Sequence, residues 1–318
     1  MTPALSIVTT LYRSAPHLEE FYRRMSASAA ELTPDYELIL VDDGSPDRSL
    51  EIALAFCAAD PKVRVVELSR NFGHHRAMMT GLARARGPLV FLIDCDLEES
   101  PEWLAVFAGR LDAAGADVVY GVQESRRGSW FERASGRWFY RVFNLLSDQA
   151  VPANLVTARL MRRAYVRGLV AHRDREIFMA GLWAATGFRQ EPLTVSKGRS
   201  SPSTYTLRRR VALLIDAVTS FSRRPLVLVF YLGALIMTIS TMGAAYVVYE
   251  RITSGFLPGW ASLLVSVWML GGLTVFAVGL VGLYVSRIFM ETKRRPYTIV
   301  RREYRHEDVT PPVNVGPA

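Results

Sequence analysis

Two long stretches without a charged residue lie close together near the C-terminus, and they constrain the fold more than any other feature. Residues 225–249 (PLVLVFYLGALIMTISTMGAAYVVY) carry no Asp, Glu, Lys or Arg, nor do residues 252–286, and only Glu250 and Arg251 stand between them. Each exceeds the roughly 20 apolar residues that a helix needs to cross a bilayer. Two transmembrane helices are therefore expected, near 226–248 and 262–286, with the turn residues Gly255, Pro258 and Gly259 in the loop between them. Arg223 and Arg224 precede the first stretch, and Arg287, Lys293, Arg294 and Arg295 follow the second. Basic residues collect on the cytoplasmic side, so both ends of the chain are expected there. Residues 1–12 lack a basic start and a long apolar run, and no secretory leader is read in them.

The remaining composition describes a folded protein. Half of the 318 residues are hydrophobic, which excludes a disordered or collagen-like chain. The net charge of +8 is carried almost wholly by Arg, 35 against 3 Lys. Guanidinium groups pair bidentately with phosphate, and here they flank apolar segments, so the charge reads as membrane-facing and phosphate-facing rather than as a nucleic-acid footprint. Cys57 and Cys95 are too few for a disulfide framework, which points to a reducing compartment.

Ahead of the apolar pair, short hydrophobic runs alternate with helical patterns. Strands are expected at 5–10, 37–41, 63–68, 89–93 and 117–120, with helices near 16–31, 47–59, 74–85 and 101–113. Such alternation predicts an α/β domain with a mainly parallel sheet, whose ligands lie beyond the carboxyl ends of the strands. No glycine-rich dinucleotide or nucleoside-triphosphate loop follows the first strand, which argues against those enzyme classes.

Acidic residues gather at two strand ends. The second strand ends in Val41-Asp42-Asp43-Gly44-Ser45, where Asp42 suits a base or ribose contact, while Asp43 and Ser45 serve equally well as turn formers and helix caps. The fourth ends in Asp94-Cys95-Asp96-Leu97-Glu98-Glu99. In an extended segment, alternate residues share a face, so Asp94, Asp96 and Glu98 are expected to converge and hold Mg²⁺ or Mn²⁺ through oxygen ligands, with Cys95 facing away.

The segments VDDGS, SRNFG and DCDLEE, in this order ahead of two apolar spans, resemble the polyprenyl-phosphate glycosyltransferases of glycosyltransferase family 2, a group that includes bactoprenol glucosyltransferases and dolichol-phosphate mannose synthases. The resemblance covers nearly the whole chain. It implies a GT-A, Rossmann-like domain and an inverting enzyme that moves a monosaccharide from a nucleotide sugar, a UDP-sugar being favoured, to polyprenyl (undecaprenyl) phosphate on the cytoplasmic leaflet of a bacterial inner membrane. It also implies a divalent metal, cell-envelope glycan modification and a homo-oligomer. Carried over by position, Thr9, Tyr12, Asp42, Arg70 and Asp94 would hold the donor nucleotide, and Asp94, Asp96 and Glu98 the metal, Glu98 standing where many relatives have Gln. Arg126, Arg133 and Ser135 would meet the acceptor phosphate. Arg199, in a Gly/Ser/Pro loop, would reach the diphosphate and complete a catalytic set with Asp94 and Asp96. After SRNFG relatives often carry Lys; this chain has His74-His75, for which helix-start packing is the preferred reading and a paired metal site is not. Asn154-Leu155-Val156-Thr157-Ala158-Arg159-Leu160 keeps the Arg-Leu of a G-D-F-R-L-like run but lacks its Asp.

The organisation expected is a cytoplasmic catalytic domain over 1–204, an amphipathic interfacial helix over 205–224, a two-helix membrane domain over 225–288 and a cytoplasmic tail over 289–318. Two other readings remain open at this stage: a catalytically silent membrane scaffold of the same fold, and a processive polysaccharide synthase. The intact Asp94/Asp96 pair opposes the first. Only two spans, and no Q-x-x-R-W segment, oppose the second.

Overall fold

The computed structural model describes residues 2–123, 154–172, 174, 177–196, 224–254 and 259–309. Among them, eight strands form one sheet: β1 (Leu5–Leu11), β2 (Tyr36–Asp42), β3 (Val63–Leu68), β4 (Leu89–Leu92), β5 (Val118–Gln123), β6 (Leu155–Arg162), β7 (Gln190–Val195) and β8 (Val300–Tyr304). The order across the sheet is β7-β5-β6-β4-β1-β2-β3-β8. β1 runs parallel to β2 and β4, β2 to β3, and β5 to β7, while β6 is antiparallel to β4 and β5. This is the mainly parallel α/β sheet that the alternating pattern predicts. From β1 the chain winds outward through β2 to β3 and then returns to place β4 on the other side of β1. The gap between the carboxyl ends of β1 and β4 is therefore a topological switch point.

Helices α1 (Ala15–Leu32), α2 (Ser49–Ala59), α3 (His74–Leu82) and α4 (Trp103–Ala114) connect the first five strands. Strand residues alternate between two faces. Leu5, Ile7 and Leu11 enter one buried cluster with Leu18, Phe21 and Met25 of α1 and with Leu104, Phe107 and Leu111 of α4. Val8 points the other way, toward α3. There Gly81 sits so tightly that a Cβ would lie 2.4 Å from Val8 Cγ1 and 2.9 Å from Val41 Cγ2. Two shorter helices, α5 (Arg163–Ala171) and α6 (Met179–Ala185), follow β6.

Several of the many arginines have structural partners. Glu37, 3% exposed, accepts hydrogen bonds from Ser6 Oγ at 2.6 Å, Arg64 Nη1 at 2.9 Å and Arg86 Nη2 at 2.8 Å. A carboxylate this deeply buried is tolerable only when paired and hydrogen-bonded. Arg110 pairs with Glu191 of β7.

The C-terminal residues depart most from expectation. Instead of belonging to a separate tail over 289–318, the described residues 295–309 group with the N-terminal region. β8 pairs antiparallel with β3, opposite Val65 to Leu68. Glu67 receives Arg301 Nη1 at 3.1 Å and Tyr304 Oη at 2.8 Å, and Arg84 bonds Glu303. Thr298 Oγ1 lies 2.7 Å from Thr80 Oγ1 of α3, and Ser69 N donates to Ile299 O at 2.9 Å. A four-residue helix, α9 (His306–Val309), follows.

The second compact unit contains α7 (Arg224–Ser254) and α8 (Trp260–Thr292). α8 runs six residues beyond the expected end of the second span. Its Met269–Thr292 stretch is long and apolar enough to cross a membrane. Both helices expose large apolar side chains, including Phe230 (70%), Val275 (73%) and Ile288 (65%). The interfacial helix expected over 205–224 lies outside the described residues, apart from Arg224.

Candidate active site

The switch point opens into a cleft of about 370 Å³, lined in part by Thr10, Tyr12, Asp43, Asn71, His74, Asp94 and Asp96. Strand alternation explains which threonine reaches it. Thr9 shares a face with Ile7 and is completely buried, whereas Thr10 shares a face with Val8 and turns toward α3. Of the two threonines, Thr10 is the one that lines the cleft. Tyr12, just past β1, is 46% exposed at the cleft.

Two loops meet at the next wall. Gly44 has φ +64, and a Cβ there would come 2.6 Å from the backbone of Arg70 and Asn71, so glycine lets the loop after β2 lie directly on the loop after β3. Asp43 fastens that contact. Its Oδ1 accepts from Phe72 N at 2.7 Å and its Oδ2 from Gly73 N at 2.9 Å. The sequence leaves Asp43 evenly between a ligand contact and a turn-forming or capping role; it braces the neighbouring loop. Burial pushes its carboxyl above the ordinary value, against the pull of these two amides. Asp42 is 2% exposed and accepts from Ser45 N at 3.3 Å through Oδ2. Its Oδ1 and the hydroxyl of Thr9 have no hydrogen-bond partner among the described residues. Burial likewise raises the Asp42 carboxyl. Arg70 is exposed at the rim, stacked on the Phe72 ring at 4.2 Å.

The acidic segment corrects the period-two expectation. β4 ends at Leu92 and residues 95–99 form turns, with Leu97 in the left-handed region at φ 62. Asp96 Oδ1 accepts from Glu98 N at 3.0 Å, so Asp96 shapes a turn rather than alternating along a strand. Among the described residues no three Asp, Glu, His or Cys side chains are grouped to hold an ion. Asp94 and Asp96 do share the cleft. Two hard oxygen donors suit Mg²⁺ or Mn²⁺, ions that take the rest of their shell from water and a bound diphosphate. Glu99 instead is fully buried and accepts from Thr157 N of β6 at 2.8 Å. Cys95 faces inward as expected, its Sγ 3.2 Å from Thr10 O, and burial pushes its thiol up to about 12.

His74 is the site residue that sequence reasoning missed. It opens α3, with Nδ1 2.9 Å from Thr10 Oγ1 and Nε2 3.3 Å from Asp94 Oδ1. Partial burial disfavours its charged form, but the Asp94 carboxylate outweighs this and the net shift is upward. The available signal was positional: the first residue of a helix entered from a strand's carboxyl end. His75 points elsewhere, to Ile177 O at 3.1 Å. Arg126, Arg133, Ser135 and Arg199 lie outside the described residues.

The sequence model of glycosyl transferase family 2 matches residues 6–170, just over half of the chain and all of the cleft. The chain belongs to glycosyltransferase family 2. A Mycobacterium tuberculosis protein named as a glycosyltransferase is 55% identical to this glycosyltransferase, over 94% of this chain and 88% of its own. An uncharacterized glycosyltransferase of Synechocystis is 33% identical over 94% and 95%. The bactoprenol glucosyl transferase of a Shigella flexneri prophage is 29% identical over 95% and 98%. With family membership established, the cleft is the candidate active site of a transferase with a GT-A-type fold.

Proposed function

We propose that this glycosyltransferase moves one sugar from a nucleotide sugar, a UDP-sugar being favoured, to polyprenyl (undecaprenyl) phosphate at the cytoplasmic leaflet of a bacterial plasma membrane, with inversion at the anomeric carbon. One combination carries the reading: a cleft holding Asp94 and Asp96 in the same chain as two long helices with exposed apolar surface. Such surface suits lipid rather than water. Both α7 and α8 are taken as membrane spans, with the catalytic unit and both termini cytoplasmic. The near full-length likeness to a bactoprenol glucosyl transferase supports the acceptor class.

The chemistry follows from charge. An acceptor phosphate oxygen is already anionic near neutral pH, so it can attack the anomeric carbon while the bond to the nucleotide diphosphate breaks, without a dedicated base. The chain must orient two anionic substrates and stabilise the departing diphosphate. The orphaned Asp42 Oδ1 is suited to accept from a nucleoside, since a buried carboxylate oxygen without a donor costs about 1–3 kcal/mol. Tyr12 offers an exposed ring at the cleft. Asp94 and Asp96 would hold the Mg²⁺ or Mn²⁺, which supplies positive charge to the leaving diphosphate. Arg199, with Arg126, Arg133 and Ser135, is proposed for diphosphate and acceptor phosphate.

Purified full-length enzyme, incubated with a panel of nucleotide sugars and undecaprenyl phosphate, is expected to yield a sugar-lipid by mass spectrometry. Asp96→Ala and EDTA should each abolish it. No sugar-lipid from any donor would sink the proposal.

A further inference from the structure

Asp94 lies just beyond a strand of only four residues, on irregular backbone. The ring of His74 approaches it from the start of α3. One nitrogen of that ring is 2.9 Å from the hydroxyl of Thr10 on β1, and the other is 3.3 Å from Asp94 Oδ1 beyond β4. The imidazole thus spans the switch point from one central strand to the other. Nδ1 is within hydrogen-bond distance of the Thr10 hydroxyl, and Nε2 is close enough to the Asp94 carboxylate for an ion-pair contact.

The ring is itself held on three sides. It opens α3, and α3 is seated on β1 and β2 through the close approach at Gly81. The two residues before it, Phe72 and Gly73, give their amides to Asp43. Thr10 supplies the third restraint. A histidine has only two side-chain torsions, and here one ring nitrogen is bonded to Thr10 while the other faces the Asp94 carboxylate at ion-pair distance, a placement from which a supporting residue can orient a functional carboxylate.

We infer that His74 is a positioning residue of the transfer site, acting through Asp94 by holding its carboxylate in the orientation that the donor meets. The inference rests on the proposed sugar transfer. It adds that the Thr10–His74–Asp94 chain works as a unit, so that cutting it at either link loosens the same carboxylate. Misplacement of a reacting group by about 1 Å costs on the order of 100-fold in rate.

The test is steady-state kinetics and calorimetric donor binding on full-length protein, using the donor that wild type turns over, for His74→Ala, His74→Gln and Thr10→Val. A double-mutant cycle of His74→Ala with Asp94→Asn completes it. His74→Ala should lower kcat/KM about 10- to 100-fold, while His74→Gln, which can still donate to a carboxylate, should recover most of the loss. Thr10→Val should fall between wild type and His74→Ala. In the Asp94→Asn background, His74→Ala should cost little more in donor affinity, because its route of action is already lost. Additive effects of the two substitutions, or a fall in melting temperature with kcat/KM unchanged, would show a merely structural histidine. Turnover by wild type with no effect of His74→Ala overturns this inference alone. No turnover by wild type with any donor overturns the proposed function and this inference with it.

Discussion

The brace that Asp43 places on the loop after β3 can be tested bond by bond. Asp43→Ala removes acceptors for two amides, those of Phe72 and Gly73, held at 2.7 and 2.9 Å. Asp43→Asn keeps one carbonyl oxygen, which can serve one of them. A hydrogen bond to a charged group contributes roughly 1.5–3 kcal/mol. Burial works against the ionised form of this carboxyl, so the low end is appropriate. Two bonds then amount to about 3 kcal/mol and one to about 1.5, and since 1.4 kcal/mol is tenfold, the loop should open roughly 100-fold more often in Asp43→Ala and 10-fold more often in Asp43→Asn. Amide hydrogen exchange reads this directly. Residues 72 and 73 should exchange faster in that graded order, with β2 and β3 amides such as Leu38 and Val65 unchanged. Affinity for the nucleotide donor should fall in the same order. Exchange at 72 and 73 within twofold of wild type in Asp43→Ala would refute the brace, and an equal effect of both substitutions would refute the two-bond reasoning.

Three further outcomes are expected. Gly81→Ala puts a methyl group against Val8 and Val41, both stiff at χ1, and should destabilise the catalytic unit by about 1–3 kcal/mol, lowering its melting temperature several degrees in a thermal scan. Truncation after Pro296 removes β8 and its bonds to Glu67 and Arg84, and should lower the melting temperature more than truncation after Thr310, measured on detergent-purified protein. The Arg24 guanidinium holds the Glu102 carboxyl down to about 2, so this pair stabilises above the ordinary carboxylate range and its contribution disappears as pH falls toward 2. Glu102→Gln should therefore melt slightly below wild type at pH 7, by less than about 1 kcal/mol for so exposed a pair, with the gap closing on acidification.

The first five strands could be read as short apolar runs, because β1, β2 and β3 are buried along their whole length, and the four helices between them from helical spacing and helix-start residues. β8 could not. Three of its five residues are charged, and an edge strand needs only one neighbour and tolerates such a sequence, so Val300-Arg301-Arg302-Glu303-Tyr304 reads as a basic tail. The switch point was legible through Asp94 and Asp96, since carboxylates just beyond a buried strand need a reason. The turn at Leu97, with its positive φ, was not. The roles of Asp43 and His74 depend on contacts across 20 to 64 residues of sequence, to loops whose meeting only the folded sheet decides.

The place of β8 also sets an order of assembly. The strand that flanks β3 is made after both long apolar helices, so a growing chain carries β3 as an open edge until residues 300–304 emerge. An open edge invites pairing with other chains. A chain that stops within α7 or α8 therefore leaves its catalytic sheet unfinished, and completion of the sheet reports that both apolar helices have been synthesised.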